Sequence, residues 1–286
     1  MLFRSALKLL RARKIWLRNA VMMNDFSEIE HGRRCLVAAW HGEAGGQFRA
    51  ALARCDTALP DSVAGMFDQL MPMICNDTFL YCVSEHDAHE DERGRLSMWR
   101  AYGGANGVAI VFNGAPMHAE TDVLGAFSSP VLYADAAEFA TQLAQIASRI
   151  AGNVEYLRAL GTGKIRDLIF SVLRYAVVST KHPGFADERE WRVVASPSLY
   201  PSGRLESVVE VVRGVPQRVL KISLENDAMR GLTGFDLPTL LDRIIIGPCD
   251  FPEISADAFR RELSDAGIPD ATRRVVISDI PLRHDR

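Results

Sequence analysis

The chain contains no run approaching the ~18 apolar residues that a membrane span needs. Its cysteines are few and oddly placed. There are five, Cys35, Cys55, Cys75, Cys82 and Cys249, and no two are spaced C-x-x-C. Such a set builds neither a disulfide framework nor a zinc ribbon, and it fits a reducing, cytoplasmic setting. An excess of basic charge is also missing. Lys and Arg total 33 against 36 Asp and Glu, a formal net charge of -3, so charge alone implies no nucleic-acid partner. The N-terminal stretch "MLFRSALKLLRARKIWL" is basic and apolar, but Lys8, Arg11, Arg13 and Lys14 interrupt it. It lacks the unbroken apolar core of a signal peptide, so none is expected. No repeat or low-complexity segment occurs.

What remains is an ordinary globular composition, 48% hydrophobic and 24% charged. Residues 3–13 have helical spacing, and Ile15-Trp16-Leu17 reads as a short strand. Asn24-Asp25 is turn chemistry, with Ser27 placed to cap a helix from Glu28. Ala-rich helices are expected over 28–58 and 61–75, broken near Gly45-Gly46 and Pro60, with Met22 and Met23 in the core. Residues 77–84 are rich in strand formers. A charged loop at 85–95 precedes a short helix and the strand Val108–Phe112.

Apolar positions at near-3.6 spacing predict long helices over 135–160 and 163–181; the second carries Ile165, Leu168, Ile169, Val172, Leu173 and Ala176 on one face. After Pro183-Gly184, strands dominate: "EWRVVAS", "SVVEVV", "RVLKISL" and "RIIIG". A helix near 253–265 and a strand in "RRVVISDI" follow. The expectation is one α+β domain over 1–286. Its mixed, mostly antiparallel sheet is built from distant segments, with N-terminal helices and a helical insertion at about 135–181.

Glu188, Glu190 and Arg192 alternate at period two in "FADEREWRVV", so within a strand they share a face. That face either lines a cleft or blunts an edge strand with charge. Ser84, at the end of "LYCVS", either holds a ligand hydroxyl or caps a turn. Trp99 and Tyr102 lie three apart on a predicted helix, with Arg100 pointing elsewhere toward a carboxylate or phosphate. Gly103, Gly104 and Gly107 do not form a dinucleotide fingerprint. His86-x-x-His89 sits among five acids but lacks the helical zinc register, so a solvated loop and no metal are expected. His31 and His182 stand alone, and Cys82 is expected to be a buried thiol.

"KIWLRNAVMMNDFSEIEHG", "YCVSE", "LSMWRAYGGANGVAIVF", "K…EREWR", "IIIGP" and "ISDIPLR" occur in an order that resembles a bacterial family catalogued as domain of unknown function 2971. The family's layout in turn looks like that of ADP-ribosyltransferases. That resemblance implies NAD as co-substrate. Glu190 would be the catalytic carboxylate, Glu188 would complete an E-x-E pair, and Ser84 would support the nicotinamide ribose. Trp99 or Tyr102 would stack on nicotinamide, Arg100 would meet the pyrophosphate, and Arg192 would join the binding set. A fixed carboxylate stabilises the positive charge that develops on the sugar as the glycosidic bond breaks. The acceptor is open, protein or nucleic acid included, and a toxin or phage-defence role is implied. Glu190→Gln is then expected to keep the fold and lose activity. Related sequences begin with an aromatic–basic–aromatic strand, whereas this chain opens inside the first helix. The alternative expectation is therefore a non-catalytic ligand- or protein-binding module of the same fold.

Overall fold

The structure is a computed structural model that describes residues 1–23 and 29–282. The expected turn at Asn24-Asp25 and the Ser27 cap before Glu28 lie outside the described residues. In chain order the elements begin with α1 (Phe3–Ala12), β1 (Lys14–Asn19), α2 (Glu30–His41), α3 (Glu43–Cys55), α4 (Leu59–Asn76) and β2 (Phe79–Ser84). Next come α5 (Leu96–Met98), β3 (Val108–Phe112), β4 (Ala126–Pro130), β5 (Leu132–Tyr133), α6 (Ala136–Gly152), α7 (Val154–Leu160) and α8 (Thr162–Val178). The chain ends with β6 (Thr180–Lys181), β7 (Glu190–Ala195), β8 (Leu205–Val212), β9 (Val215–Ser223), α9 (Leu237–Leu240), β10 (Leu241–Ile246), α10 (Pro252–Asp265) and β11 (Val275–Ile277). This is the α+β class. The largest sheet has six strands in the order β4-β7-β2-β1-β9-β8, with antiparallel pairing of β1 to β2 and of β8 to β9. No helix among the described residues is long and apolar enough to cross a membrane.

The chain forms two compact units, each assembled from separated segments. The first comprises residues 1–17, 83–128 and 201–286. Its three-stranded sheet has β10 at the centre, parallel to β11 and antiparallel to β3. A strand flanked on both sides reads as a continuous apolar run, and Ile244, Ile245 and Ile246 are fully buried. α1 and α10 bury Leu9, Leu10, Phe259 and Leu263, and Phe3 meets Phe259 edge-on at 5.6 Å. The β8–β9 hairpin turns at Arg213-Gly214, where φ is 54° and 81°. Two successive positive φ values give the turn twist that matches paired strands, and glycine adopts one of them without strain.

The second unit comprises residues 18–82 and 129–200 and is mostly helical. Its core gathers Phe48, Leu52, Val63 and Ile74 from α3 and α4 with Leu143, Ile169, Leu173 and Val177 from α6 and α8. Helix contact is close where α2 carries Gly32. A Cβ there would fall 2.1 Å from the Val177 carbonyl oxygen. The predicted helix 28–58 breaks at Gly42, in extended backbone, and not at Gly45-Gly46. Gly45 instead permits close approach to the Trp40 carbonyl, 2.0 Å from where a Cβ would sit. The predicted helix 135–160 divides at Asn153. Asp135 caps its start by accepting from Ala137 and Glu138 backbone N–H groups, and the Glu138 side chain reaches back to the Asp135 N–H. Leu168 is half exposed, so the buried stripe of α8 runs through Ile165, Ile169, Phe170, Leu173 and Val177.

Candidate functional site

In the second unit, a 3-10 turn over Pro183–Glu188 and a left-handed Arg189 (φ 46°) precede β7. The left-handed residue ends the turn, so Glu188 lies outside the strand and the expected three-charge face does not form. Lys181 gathers the two acids instead. Its Nζ lies 2.7 Å from Glu188 Oε2 and 2.8 Å from Glu190 Oε2. Arg192, two residues along the strand, donates Nε to Glu190 Oε1 at 2.8 Å and Nη1 to the Val178 carbonyl at 2.6 Å. The Glu190 backbone N–H donates to Tyr133 Oη at 2.7 Å. Glu190 is 5% exposed, Lys181 3% and Arg192 0%. β7 runs between β4 and β2. Its charges therefore neither blunt an edge nor line an open face: they are buried and paired.

Burial alone would raise the Glu190 carboxyl. The charges of Arg192 and Lys181, with hydrogen bonds from the Cys82 thiol and Lys181, outweigh it and bring the group down to about 2. Burial also pushes the Tyr133 hydroxyl up, and the nearby Glu190 and Glu188 charges add to that. Two carboxylates and two cations balance, and each oxygen of Glu190 faces a fixed cation. The cluster thus ties the chain just after α8 to the start of β7.

In the first unit, Ser84 Oγ accepts from Arg95 Nη1 at 2.9 Å. Arg95 grips Glu90 with two parallel bonds, Nε to Oε1 at 2.7 Å and Nη2 to Oε2 at 3.1 Å, and Nη2 also reaches the Glu85 carbonyl at 2.6 Å. Glu90 is buried and accepts from the Asp87 backbone N–H at 3.1 Å. Burial works against its ionisation, but the Arg95 and Asp87 hydrogen bonds hold the carboxyl below its usual range. The 85–95 segment is therefore folded around a buried acid and is not the solvated loop expected. The Asp87-x-x-Glu90 capping spacing, followed by Arg95, was the signal available in the sequence.

Trp99 to Gly103 form a π-helical turn, so Trp99 and Tyr102 do not share a face as they would in an α-helix. Trp99 is 4% exposed. Its indole fills a slot lined by glycines. A Cβ on Gly94 or Gly247 would approach the ring to 2.7 or 2.8 Å, and Gly247 N–H donates to the Gly107 carbonyl at 3.0 Å. The indole N–H donates to the Arg93 carbonyl at 2.8 Å. Trp99 thus packs the distant Gly247 against its own segment and presents no open ring face. Arg100 is exposed and Tyr102 half-buried.

A cleft of about 440 Å³ in the first unit is lined by His86, Asp91, Asn113, Asp242, Arg243 and Arg274, among others. His86 Nε2 lies 2.8 Å from Asp91 Oδ1, and Arg243 bridges Asp91 at 3.0 Å and Asp242 at 2.8 Å. Among the described residues, no group of three or more His, Cys, Asp or Glu is placed to hold a metal ion.

Glu188, Glu190 and Arg192 thus meet in the second unit through Lys181, the lysine of the K…EREWR motif, to which the sequence assigned no role. Ser84 and Trp99 belong to the first, where the 93–95 segment holds both. Residues 98–193, about a third of the chain, match the family described as Protein of unknown function (DUF2971). No curated protein and no solved structure matches the chain. The matched stretch runs from the Trp99 turn through the Glu190 cluster, and it supports the resemblance to that family over those residues.

Proposed function

We propose that this chain is a binding module in which Glu190 serves the fold and the cleft of the first unit takes a small polar ligand. The observation that carries this reading is the closure of both Glu190 oxygens by the buried Lys181 and Arg192. A carboxylate that stabilises a substrate cation must turn toward it. Withdrawing Glu190 would break its ion pairs with two buried cations, of which Lys181 keeps Glu188, at about 3–5 kcal/mol. The cleft's walls offer both charges around Val111 and Phe112, polar groups of the kind that orient a bound ligand.

A transferase using NAD, acting as a toxin or phage-defence effector in the cytoplasm, keeps one supporting observation. Glu188 and Glu190 share the Lys181 ammonium, so the two acids of the E-x-E pattern are neighbours. Incubating the full chain with labelled NAD and cell lysate separates the readings. The binding-module reading expects no transferred label and no released nicotinamide. Cleavage by the wild type that a folded Glu190→Gln variant lacks would establish the transferase instead.

A further inference from the structure

A buried arginine in the second unit has one of its three guanidinium nitrogens answered by a hydrogen bond. Arg174, on α8, is 1% exposed. Its Nη1 donates to Ser196 Oγ at 3.1 Å, and that oxygen lies 3.4 Å from Thr78 Oγ1. Its Nε and Nη2 have no hydrogen-bond partner among the described residues. Those two groups form one edge of the guanidinium, with N–H bonds running parallel and spaced for two oxygens of one anion.

The same chain shows what this edge does elsewhere. Arg33 applies Nε and Nη2 to Glu30 at 2.7 and 2.8 Å, and Arg95 applies them to Glu90 at 2.7 and 3.1 Å. Arg11 does so with Glu262. Arg174 is the most buried of the four, yet no described carboxylate meets it. Its charge is softened by the rings of Tyr175 and Tyr200, 4.4 and 4.9 Å from the guanidinium carbon. Ring faces attract the cation, and the Tyr175 hydroxyl lies beside the guanidinium, but no described carboxylate answers the in-plane N–H edge. A guanidinium does not shed its proton, so titration brings no relief. A buried charge and two buried donors without an acceptor are costly.

We propose that the Nε–Nη2 edge of Arg174 binds an oxyanion of carboxylate or phosphate type. The half-buried Tyr200, its ring 4.9 Å from the guanidinium carbon and its hydroxyl 3.2 Å from Ser171 Oγ, borders the site. The site shares no residue with the Glu190 cluster or the cleft of the first unit, so it stands or falls independently of the function proposed above.

Thermal melting of the full chain in sodium phosphate and, separately, sodium acetate tests the site, with sodium chloride at matched ionic strength as reference. The wild type is expected to show a saturable rise with at least one anion, about 5–10 °C at a hundredfold excess over Kd. The responding arm identifies the chemistry. Arg174→Lys keeps the charge but lacks the parallel edge, and its rise is expected to fall by more than half. Arg174→Met is expected to show none. No saturable rise in the wild type with either anion, or an undiminished rise in Arg174→Lys or Arg174→Met, would overturn the proposal. Arg174→Lys carries the test if Arg174→Met does not fold.

Discussion

Glu90 in the first unit and Glu190 in the second are both buried carboxylates gripped by arginine, but their surroundings differ. Glu90 meets one arginine only five residues away, together with a backbone N–H and His86 at 3.6 Å, and Arg95 keeps 15% of its side chain in solvent. Glu190 meets two cations that are 3% and 0% exposed, one of them arriving from β6. The first arrangement stitches a loop to itself, and the second stitches separate strands of the unit. Deeper burial removes water as a fallback partner, so the deeper acid needs more compensation from the protein. A carboxylate bound that tightly suits architecture better than chemistry.

The sharpest way to break this comparison is to remove Arg192. Arg192→Met leaves Glu190 with Lys181 and the Cys82 thiol and removes the bond to the Val178 carbonyl, so a loss of about 3–5 kcal/mol is expected in equilibrium urea unfolding. Neutralising the acids should rank them. Glu190→Gln is expected to cost about 2–3 kcal/mol, and Glu90→Gln about 1–2 kcal/mol because Arg95 can turn toward water. Equal losses would mean that depth of burial does not distinguish the two sites.

Acid sharpens the contrast further. The Glu190 carboxyl falls from 4.5 to about 2 on folding, so the folded state binds fewer protons than the unfolded chain. Its stabilisation is complete above the ordinary carboxylate range and is lost as pH falls from about 4.5 toward 2. Glu90 is lowered too and acts in the same direction. Wild-type stability should therefore decline over that window, and Glu190→Gln should flatten the decline more than Glu90→Gln does. The smallest effect is expected at Arg100, whose side chain is exposed. Arg100→Ala should stay within about 0.5 kcal/mol of the wild type in the same unfolding assay.

Much of the chain could be read from periodicity. α1 spans Phe3–Ala12 within the expected 3–13, and the 77–84 run holds β2. Glu188, Glu190 and Arg192 were legible as one charged group because their spacing is local. Lys181 was not, since it continues the helical pattern of 163–181, whereas α8 stops at Val178 and Thr180-Lys181 pairs with Leu132-Tyr133 as a strand. Glu90 was hidden as one of five acids, where composition suggests solvent and the Asp87-x-x-Glu90 spacing with Arg95, five residues on, marks it as buried. Trp99 looked like a ligand platform because aromatic and basic residues cluster there. Gly94 and Gly103, which flank it in the chain, and the distant Gly247 enclose it, and the approach of Gly247 exists only after folding. Arg174 lies off the apolar stripe expected for its helix, where an arginine reads as solvent-facing. The packing of Tyr175 and Tyr200 over it is what buries it.

Equilibrium urea unfolding of the wild type and Glu190→Gln at pH 7, with nicotinamide release from NAD measured on the same samples, tests the role given to Glu190. A stability lower by about 2–3 kcal/mol in the variant, with no nicotinamide released by either protein, is the expected result. A variant as stable as the wild type that has lost an NAD-cleaving activity the wild type possesses would contradict it.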